Sequence, residues 1–481
     1  MKHVGLALFL VGAWIGLLSG TWAQTAVAPA AGDGLTTSTA YQITELGNLV
    51  WLHDQAAAGA TSGKYYKLMN DIDASDTANW NDSGTDASVL EGFDPIGGDL
   101  IPPITGPPYN PSFKGAFDGA GHEITGLMIN RSSNYCVGLF GVVGSGGEVK
   151  NLGIVGGAVT GYIGVGGLVG ENDGGTVSAC YATGTVTGSV CCGDLVGENG
   201  GGTVSACHAA GSVLASDTAG GLVGNNSGRV SACCAAGSVT GSSCVGGLVA
   251  ENGGGTVSAC YATGSVTGSD TSTGGLVGGS DDGTISACYA TGTVRGNHEV
   301  GGLAGTTDGG TVSACYATGS VTGSGDNVGG LIGAIWSGAV PDSYWNTETS
   351  GKSSSGGGTG MTTARMKQQS TFVNWDFISI WGIQGAYPYL RVMSTHALTY
   401  VAGTHGLIGD GLTTGTTLMQ TVNTCSTGTA VAAVADTGYQ FTRWSDGWTD
   451  NPRTDANVTA DLSVTAIFAM RARTRDWLQY Q

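Results

Sequence analysis

Six cysteines recur at a nearly constant step: Cys180, Cys207, Cys233, Cys260, Cys288 and Cys315 stand 27, 26, 27, 28 and 27 residues apart. A second landmark, the leucine of a G-G-L-V-G-like segment, keeps the same step at Leu168, Leu195, Leu222, Leu248, Leu276, Leu303 and Leu331. Self-similarity at this period restricts a chain to solenoids, propellers or arrays. A propeller blade needs about 40 residues, and helical repeats need helix formers where this chain has Gly, Thr, Ser and Val. Short β-segments separated by glycine-rich turns remain. The expected fold class is therefore all-β, a β-solenoid of about seven coils. At about 4.8 Å per coil it would form a rod on the order of 30 Å long.

Comparing the repeats with one another predicts which side chains face inward. Three residues before each cysteine stands Val177, Val204, Val230, Val257, Ile285 or Val312, and two after it stands Ala182, Ala209, Ala235, Ala262, Ala290 or Ala317. Cysteine and the following alanine share a face of an extended segment, but the valine has the opposite parity. A bend at the intervening Ser-Ala, Ser178-Ala179 in the first unit, would bring both inside. The cysteine ladder then has three readings: stacked free thiols acting as small apolar fillers, vertical disulfides between neighbouring coils, or a metal site. Cys191, Cys192, Cys234 and Cys244 lie in the same region, and no pair has C-x-x-C spacing.

If the cysteines face in, the residues after them face out. This stripe is Tyr181, His208, Cys234, Tyr261, Tyr289 and Tyr316. Tyr181, His208, Tyr261, Tyr289 and Tyr316 are the candidate binding residues, as a row of rings that stacks on sugars or anchors a protein partner. Outward tyrosines also suit a β surface by packing on one another across strands.

The chain carries 36 acidic and 17 basic side chains, and only 11% of its residues are charged. This balance excludes nucleic acid, which is bound by neutralising phosphates with Lys and Arg, and disfavours acidic polymers. High glycine content often accompanies disorder, but here the 88 glycines follow a fixed period among Val and Leu, which favours order. The first 23 residues read as a secretory signal, with Lys2 and His3, an apolar run from Val4 to Leu18, and a small-x-small site at Thr21-Trp22-Ala23. The apolar run is short for a membrane span, and no later stretch approaches one. The expected location is secreted, extracellular or at the cell surface.

The units resemble the GLUG motif of bacterial surface and secreted proteins. The resemblance rests on Gly166-Gly167-Leu168-Val169-Gly170-Glu171-Asn172 followed by Gly175-Thr176-Val177-Ser178-Ala179-Cys180-Tyr181-Ala182-Thr183-Gly184. The unit occurs six times, with a partial one from Gly329. Two local departures stand out: Cys192-Gly193-Asp194 replaces Gly-Gly before Leu195, and Ala250 replaces a final glycine. The resemblance implies a β-solenoid of adhesin-like character, also seen beside the catalytic domain of some immunoglobulin A-cleaving metalloproteases. No H-E-x-x-H motif occurs here; Gly126 and Gly302 stand where the second histidine would follow His122-Glu123 and His298-Glu299.

The flanks complete the expected organisation: a signal at 1–23, a linker at 24–33, an N-terminal cap and first coils at 34–165, the repeats at 166–345, a C-terminal cap at 346–395, a β-rich module at 396–469 and a tail at 470–481. In the N-terminal cap, Thr44 is expected to cap a helix from Glu45 to about Ala58. Asn70, Asp71 and Asp73 are the one place where calcium is considered, against the plainer reading of a solvated turn. The C-terminal cap holds Trp375, Phe377, Trp381 and Tyr387-Pro388-Tyr389-Leu390. The module resembles the divergent internalin-type bacterial repeat, with Tyr439, Phe441, Trp444 and Phe468 expected in its core and Cys425 expected unpaired.

These readings point to a non-enzymatic binding or structural protein with no cofactor and no catalytic residue, presenting a repetitive face to an extended glycan or protein. Parallel β-helices also host polysaccharide lyases and glycosidases, which need paired carboxylates at defined separation. The coil acids lie mostly in glycine-rich turns, where turn chemistry accounts for them. A purely structural envelope component is the third reading.

Overall fold

The computed structural model describes residues 25–80, 90–98, 111–393, 395–425, 428–455, 458 and 460–471. The expected signal, and the tail beyond 471, lie outside the described residues.

Each full coil contributes five short strands. In the coil of Cys180 they are Ile163–Gly166, Val169–Asp173, Thr176–Ser178, Tyr181–Ala182 and Thr185–Gly188. Stacking joins equivalent strands into five parallel sheets of ten, eleven, eight, eight and eight strands. The solenoid has about eleven turns, against the seven that the landmarks mark, and at about 4.8 Å per turn is about 50 Å long. The additional turns lie at both ends, where bulkier residues replace the repeat's own. Ile72, Ile124 and Ile154 precede Ala182 in register, and Trp345 follows Ala317. The landmarks fade there while the pairing continues.

The bend between valine and cysteine falls on the alanine before each cysteine. Ala179, Ala206, Ala232, Ala259, Ala287 and Ala314 all have φ between 50° and 53°. This left-handed conformation costs an L-residue about 1–2 kcal/mol, and it lets Val177 and Cys180 both point into the core, where each is fully buried. The ladder cysteines are free thiols. Each is held by hydrogen bonds: Cys207 Sγ donates to Ser205 O at 3.2 Å, and the next sulfur, Cys233 Sγ, accepts from Cys207 N–H at 3.4 Å. Burial raises the thiol pKa at Cys180, Cys233, Cys260 and Cys288.

The interior is thin opposite the cysteines. A Cβ built on Gly221, Gly247, Gly275 or Gly302 would come within 3.0–3.1 Å of the Cβ of Ala235, Ala262, Ala290 or Ala317. Glycine therefore faces alanine across the coil, which explains why both positions stay small. Asp194 breaks this rule. It occupies the glycine position, accepts from Gly211 N–H at 2.7 Å through Oδ2, and is completely buried. Its Oδ1 has no hydrogen-bond partner among the described residues, and burial pushes its carboxyl up to about 7.

A column of amides runs through another corner. Asn172 Nδ2 donates to Asn199 Oδ1 at 2.8 Å, Asn199 Nδ2 to Asn226 Oδ1 at 2.8 Å, and Asn226 Nδ2 to Asn252 Oδ1 at 2.7 Å. All four side chains are buried, and the oxygens of Asn199, Asn226 and Asn252 are each satisfied by the preceding amide where water cannot reach.

The N-terminal helix, Leu46–Ala57, buries Leu49, Val50 and Leu52 in the same core as the coils. Its N-terminus is closed from inside the helix: Asn48 Oδ1 accepts from the N–H groups of Thr44 and Glu45. The expected Thr44 cap is thus replaced by Asn48 reaching back. Asn70, Asp71 and Asp73 are engaged in local structure. Asn70 Nδ2 donates to Thr44 O, Asp71 Oδ1 accepts from Glu123 N–H, and Asp73 Oδ1 accepts from Ser75 N–H.

The C-terminal module forms two sheets. One runs in the order Thr417–Asn423, Thr395–Ala402, Leu462–Met470 and Tyr439–Trp444; the other in the order Thr414–Gly415, Gly406–Gly409 and Ala432–Ala435. Its core holds Leu398, Tyr400, Ile408, Trp444 and Val464, with Phe441 and Phe468 packed at the margin. Tyr439 departs from expectation by lying outside that core, stacked on His405 at 3.9 Å. No helix among the described residues is long and apolar enough to cross a membrane.

Candidate binding groove at the open end of the tyrosine stripe

The residues after the ladder positions align in register as Gly153, Tyr181, His208, Cys234, Tyr261, Tyr289, Tyr316 and Tyr344. All point out of the coil, and coil spacing brings their rings into stacking distance. Tyr181 and His208 stack at 4.8 Å and 4°, Tyr261 and Tyr289 at 4.6 Å and 4°, and Tyr289 and Tyr316 at 5.0 Å and 8°. Cys234 divides the column into two stacks. Because each ring spends its face on the next, the stripe offers edges and polar tips, and a sugar cannot lie flat along it.

Most of the stripe is also covered. Beyond the last coil the chain turns back as a strap that runs along the stripe from its C-terminal end. Phe372 and Trp375 pack on Tyr344, Trp375 and Trp381 on Tyr316, and Trp381 on Tyr289. The Tyr316 hydroxyl donates to Pro388 O at 2.6 Å. Tyr261, Tyr289 and Tyr316 are at most 6% exposed. They face out of the coil yet are closed to any ligand, because the strap's aromatic residues bury them. Burial raises the pKa of Tyr289 and Tyr316.

The strap ends at Cys234. There Cys234 forms a disulfide with Cys425 of the module, across a Cα separation of 6.3 Å. The expectation that Cys425 is unpaired is corrected by this bond, which the folding-back of the module makes possible. Beside it, Thr263 Oγ1 donates to Cys425 O at 3.2 Å.

Past the disulfide, Tyr181 and His208 are left half-buried in an open groove of about 350 Å³. One wall is Tyr181 and His208, the floor includes Ala206, Ala232 and Cys234, and the far wall is Val392, Met393, His396 and Thr424. Tyr181 is fixed at both ends: its hydroxyl donates to Glu123 Oε1, and its ring lies where a Cβ on Gly153 would stand, 2.4 Å away. Only glycine fits at 153. Desolvation lowers the pKa of His208 to about 4, with His396 across the groove adding to it; its imidazole is therefore neutral at pH 7. Its Nε2 is buried and has no hydrogen-bond partner among the described residues. His396 is oriented by Thr424 Oγ1 at 3.0 Å from Nε2.

The structure thus brings Tyr181 and His208 together on one wall of the groove and buries Tyr261, Tyr289 and Tyr316 away from it. His396 and Thr424 were missed by sequence reasoning, since nothing local in the module marks them. Cys234 carried a signal: a cysteine in a stripe of rings, matched by one cysteine beyond the coils.

Comparison with known proteins fits this architecture. The chain carries the GLUG motif at residues 161–187, 241–267, 269–295 and 296–322, and a divergent InlB B-repeat domain at residues 396–472. The motif matches leave out 188–240, the stretch that holds Asp194 and Cys234. A protein of Evansella cellulosilytica provisionally described as a Gly-rich membrane protein is 39% identical over 132 residues, which are 25% of this chain and 14% of that protein. Halomucin of Haloquadratum walsbyi is 37% identical over 155 residues, 32% of this chain and 2% of halomucin. The chain thus spans a small part of the length of these curated relatives. A crystal structure of a protein from Bacteroides ovatus provisionally described as an immunoglobulin A1 protease aligns with 76% of this chain and 95% of its own, at 20% identity and a TM-score of 0.37.

Proposed function

We infer that this β-solenoid repeat protein acts at the cell surface as a binding protein and holds a neutral glycan in the groove at Tyr181 and His208. The surface placement is supported by the GLUG and InlB-type repeats and by relatives named as a membrane protein and as halomucin. The observation that carries the ligand class is the neutral His208, which lines a groove where no charged side chain stands among the described residues. A neutral imidazole pairs with a ligand hydroxyl in either tautomer, because a hydroxyl both donates and accepts.

The rest of the lining fits the same class. Val392 and Met393 offer apolar surface for the carbon face of a sugar, and Thr424 and His396 offer polar groups. Among the described residues neither Lys, Arg, Asp nor Glu lines the groove, which disfavours charged ligands and leaves no carboxylate pair there for glycoside hydrolysis. The test is a glycan array probed with the mature chain and with His208→Ala. Retention of a neutral glycan, weakened at least tenfold in the variant, supports the reading. A parent chain that retains no neutral glycan, or a variant that binds as well as the parent, sinks it.

A further inference from the structure

The groove has walls from two bodies with separate cores. Tyr181 and His208 belong to the solenoid, whereas His396 and Thr424 belong to the module, whose core of Leu398, Tyr400, Ile408, Trp444 and Val464 excludes Cys425. Cys425 packs instead with Cys234, Met393 and the strap. The strap is anchored as far as Arg391: Leu390 pairs with Trp381, and the Arg391 N–H donates to Ile380 O at 2.9 Å. Between that anchor and the module's first strand, Thr395–Ala402, the chain has only a short link. The disulfide sits at the far side of that link and holds the module's wall against the coil.

Its position in the stripe is specific. Every other ladder coil from Tyr181 to Tyr316 places a ring there, and stacking continues through it. Cys234 interrupts the stack at the one rung where Cys425 arrives, next to His208. Cys234 also lines the groove floor, and both half-cystines are buried where the module meets the coil.

We propose that the Cys234–Cys425 disulfide is a redox latch that holds the C-terminal module in place as the second wall of the glycan groove, so that reduction opens the groove and releases the ligand. The proposal rests on the glycan reading of that groove. The reductant is a dithiol. Its thiolate attacks one sulfur of the protein disulfide to give a mixed disulfide, and its second thiol closes on that intermediate. The dithiol is oxidised to its cyclic disulfide, Cys234 and Cys425 are reduced by two electrons, and the two thiol protons end on the protein sulfurs. Because the module and the solenoid each keep their own core, both stay folded when the latch is open. Linkage requires the converse: a bound glycan protects the disulfide from reduction by the same factor by which the disulfide tightens the glycan.

The test uses the full chain, oxidised, treated with dithiothreitol, and as Cys425→Ser. Hydrogen exchange is followed at 391–398 and in the coil strand Thr256–Ser258, and affinity is measured for a neutral glycan retained on the array. The latch predicts that exchange at 391–398 rises at least tenfold in both reduced and variant chains, with Thr256–Ser258 unchanged, and that affinity falls at least tenfold. Unchanged exchange at 391–398 overturns the latch whatever the glycan does. Faster exchange with undiminished affinity overturns the control of the groove. If the oxidised parent binds no neutral glycan, the binding reading fails by itself, and the exchange measurement alone decides the latch.

Discussion

Replacing Asp194 with asparagine removes an ionisable group from the interior of the coil while keeping an acceptor for Gly211 N–H. Asp194 is wholly buried and burial pushes its pKa to about 7, against 3.8 for a solvated carboxyl. The folded-state value is raised, so the sign is opposite to that of a paired surface carboxylate. Below about pH 4 the group is neutral in both folded and unfolded chains and contributes no difference. Between pH 4 and 7 the unfolded chain ionises while the folded chain stays protonated, and stability falls. Above 7 the full cost is present. A rise from 3.8 to about 7, at about 1.36 kcal/mol for each tenfold change in proton affinity, amounts to about 4 kcal/mol. The assay is urea unfolding of parent and Asp194→Asn at intervals from pH 4 to 8.5. The gap in favour of the variant should grow by about 4 kcal/mol across that range and flatten above pH 7.5. A gap that is constant with pH, or that narrows as pH rises, refutes the reasoning.

Three further outcomes follow from the packing. Asn226→Ala leaves the Asn199 donor and the Asn252 acceptor facing a methyl group, and should cost about 2–4 kcal/mol in denaturant unfolding. Tyr289→Ala empties a ring held between Tyr261 and Tyr316 under Trp381; it should lose about 3–5 kcal/mol and the near-ultraviolet circular dichroism of the strap tryptophans. At the left-handed corner, Ala259 with φ 51° tolerates glycine with little change in unfolding midpoint, whereas the β-branched Ala259→Val destabilises by about 1–2 kcal/mol or more.

Much of the solenoid was legible because each coil repeats one solution to one packing problem. The Cys180 and Leu168 series located the strands, and the parity conflict between Val177 and Cys180 located the bend at Ala179. The first coils were expected at 34–165, but their number was hidden because Ile124 and Ile154 fill a wider interior than Ala182 does, erasing the small-residue signature without altering the pairing. The amide column was readable in principle, since Asn172, Asn199, Asn226 and Asn252 keep the coil step, but asparagine beside glycine is equally the composition of an exposed turn. The strap was not readable. Whether Tyr289 meets water or Trp381 depends on where a segment some 90 residues later folds back, and no local pattern at either end encodes that. For the site, the stripe supplied Tyr181 and His208, while the opposite wall came from a separate body whose placement depends on the pairing of Cys234 with Cys425.

That pairing is the point on which the second wall of the groove depends. Peptide mapping of the denatured, unreduced and alkylated chain by mass spectrometry reads it directly. The account predicts one disulfide-linked peptide pair, joining Cys234 to Cys425, with the ten other cysteines alkylated as free thiols. Alkylated Cys425, or ladder cysteines such as Cys207 and Cys233 joined to each other, would contradict it.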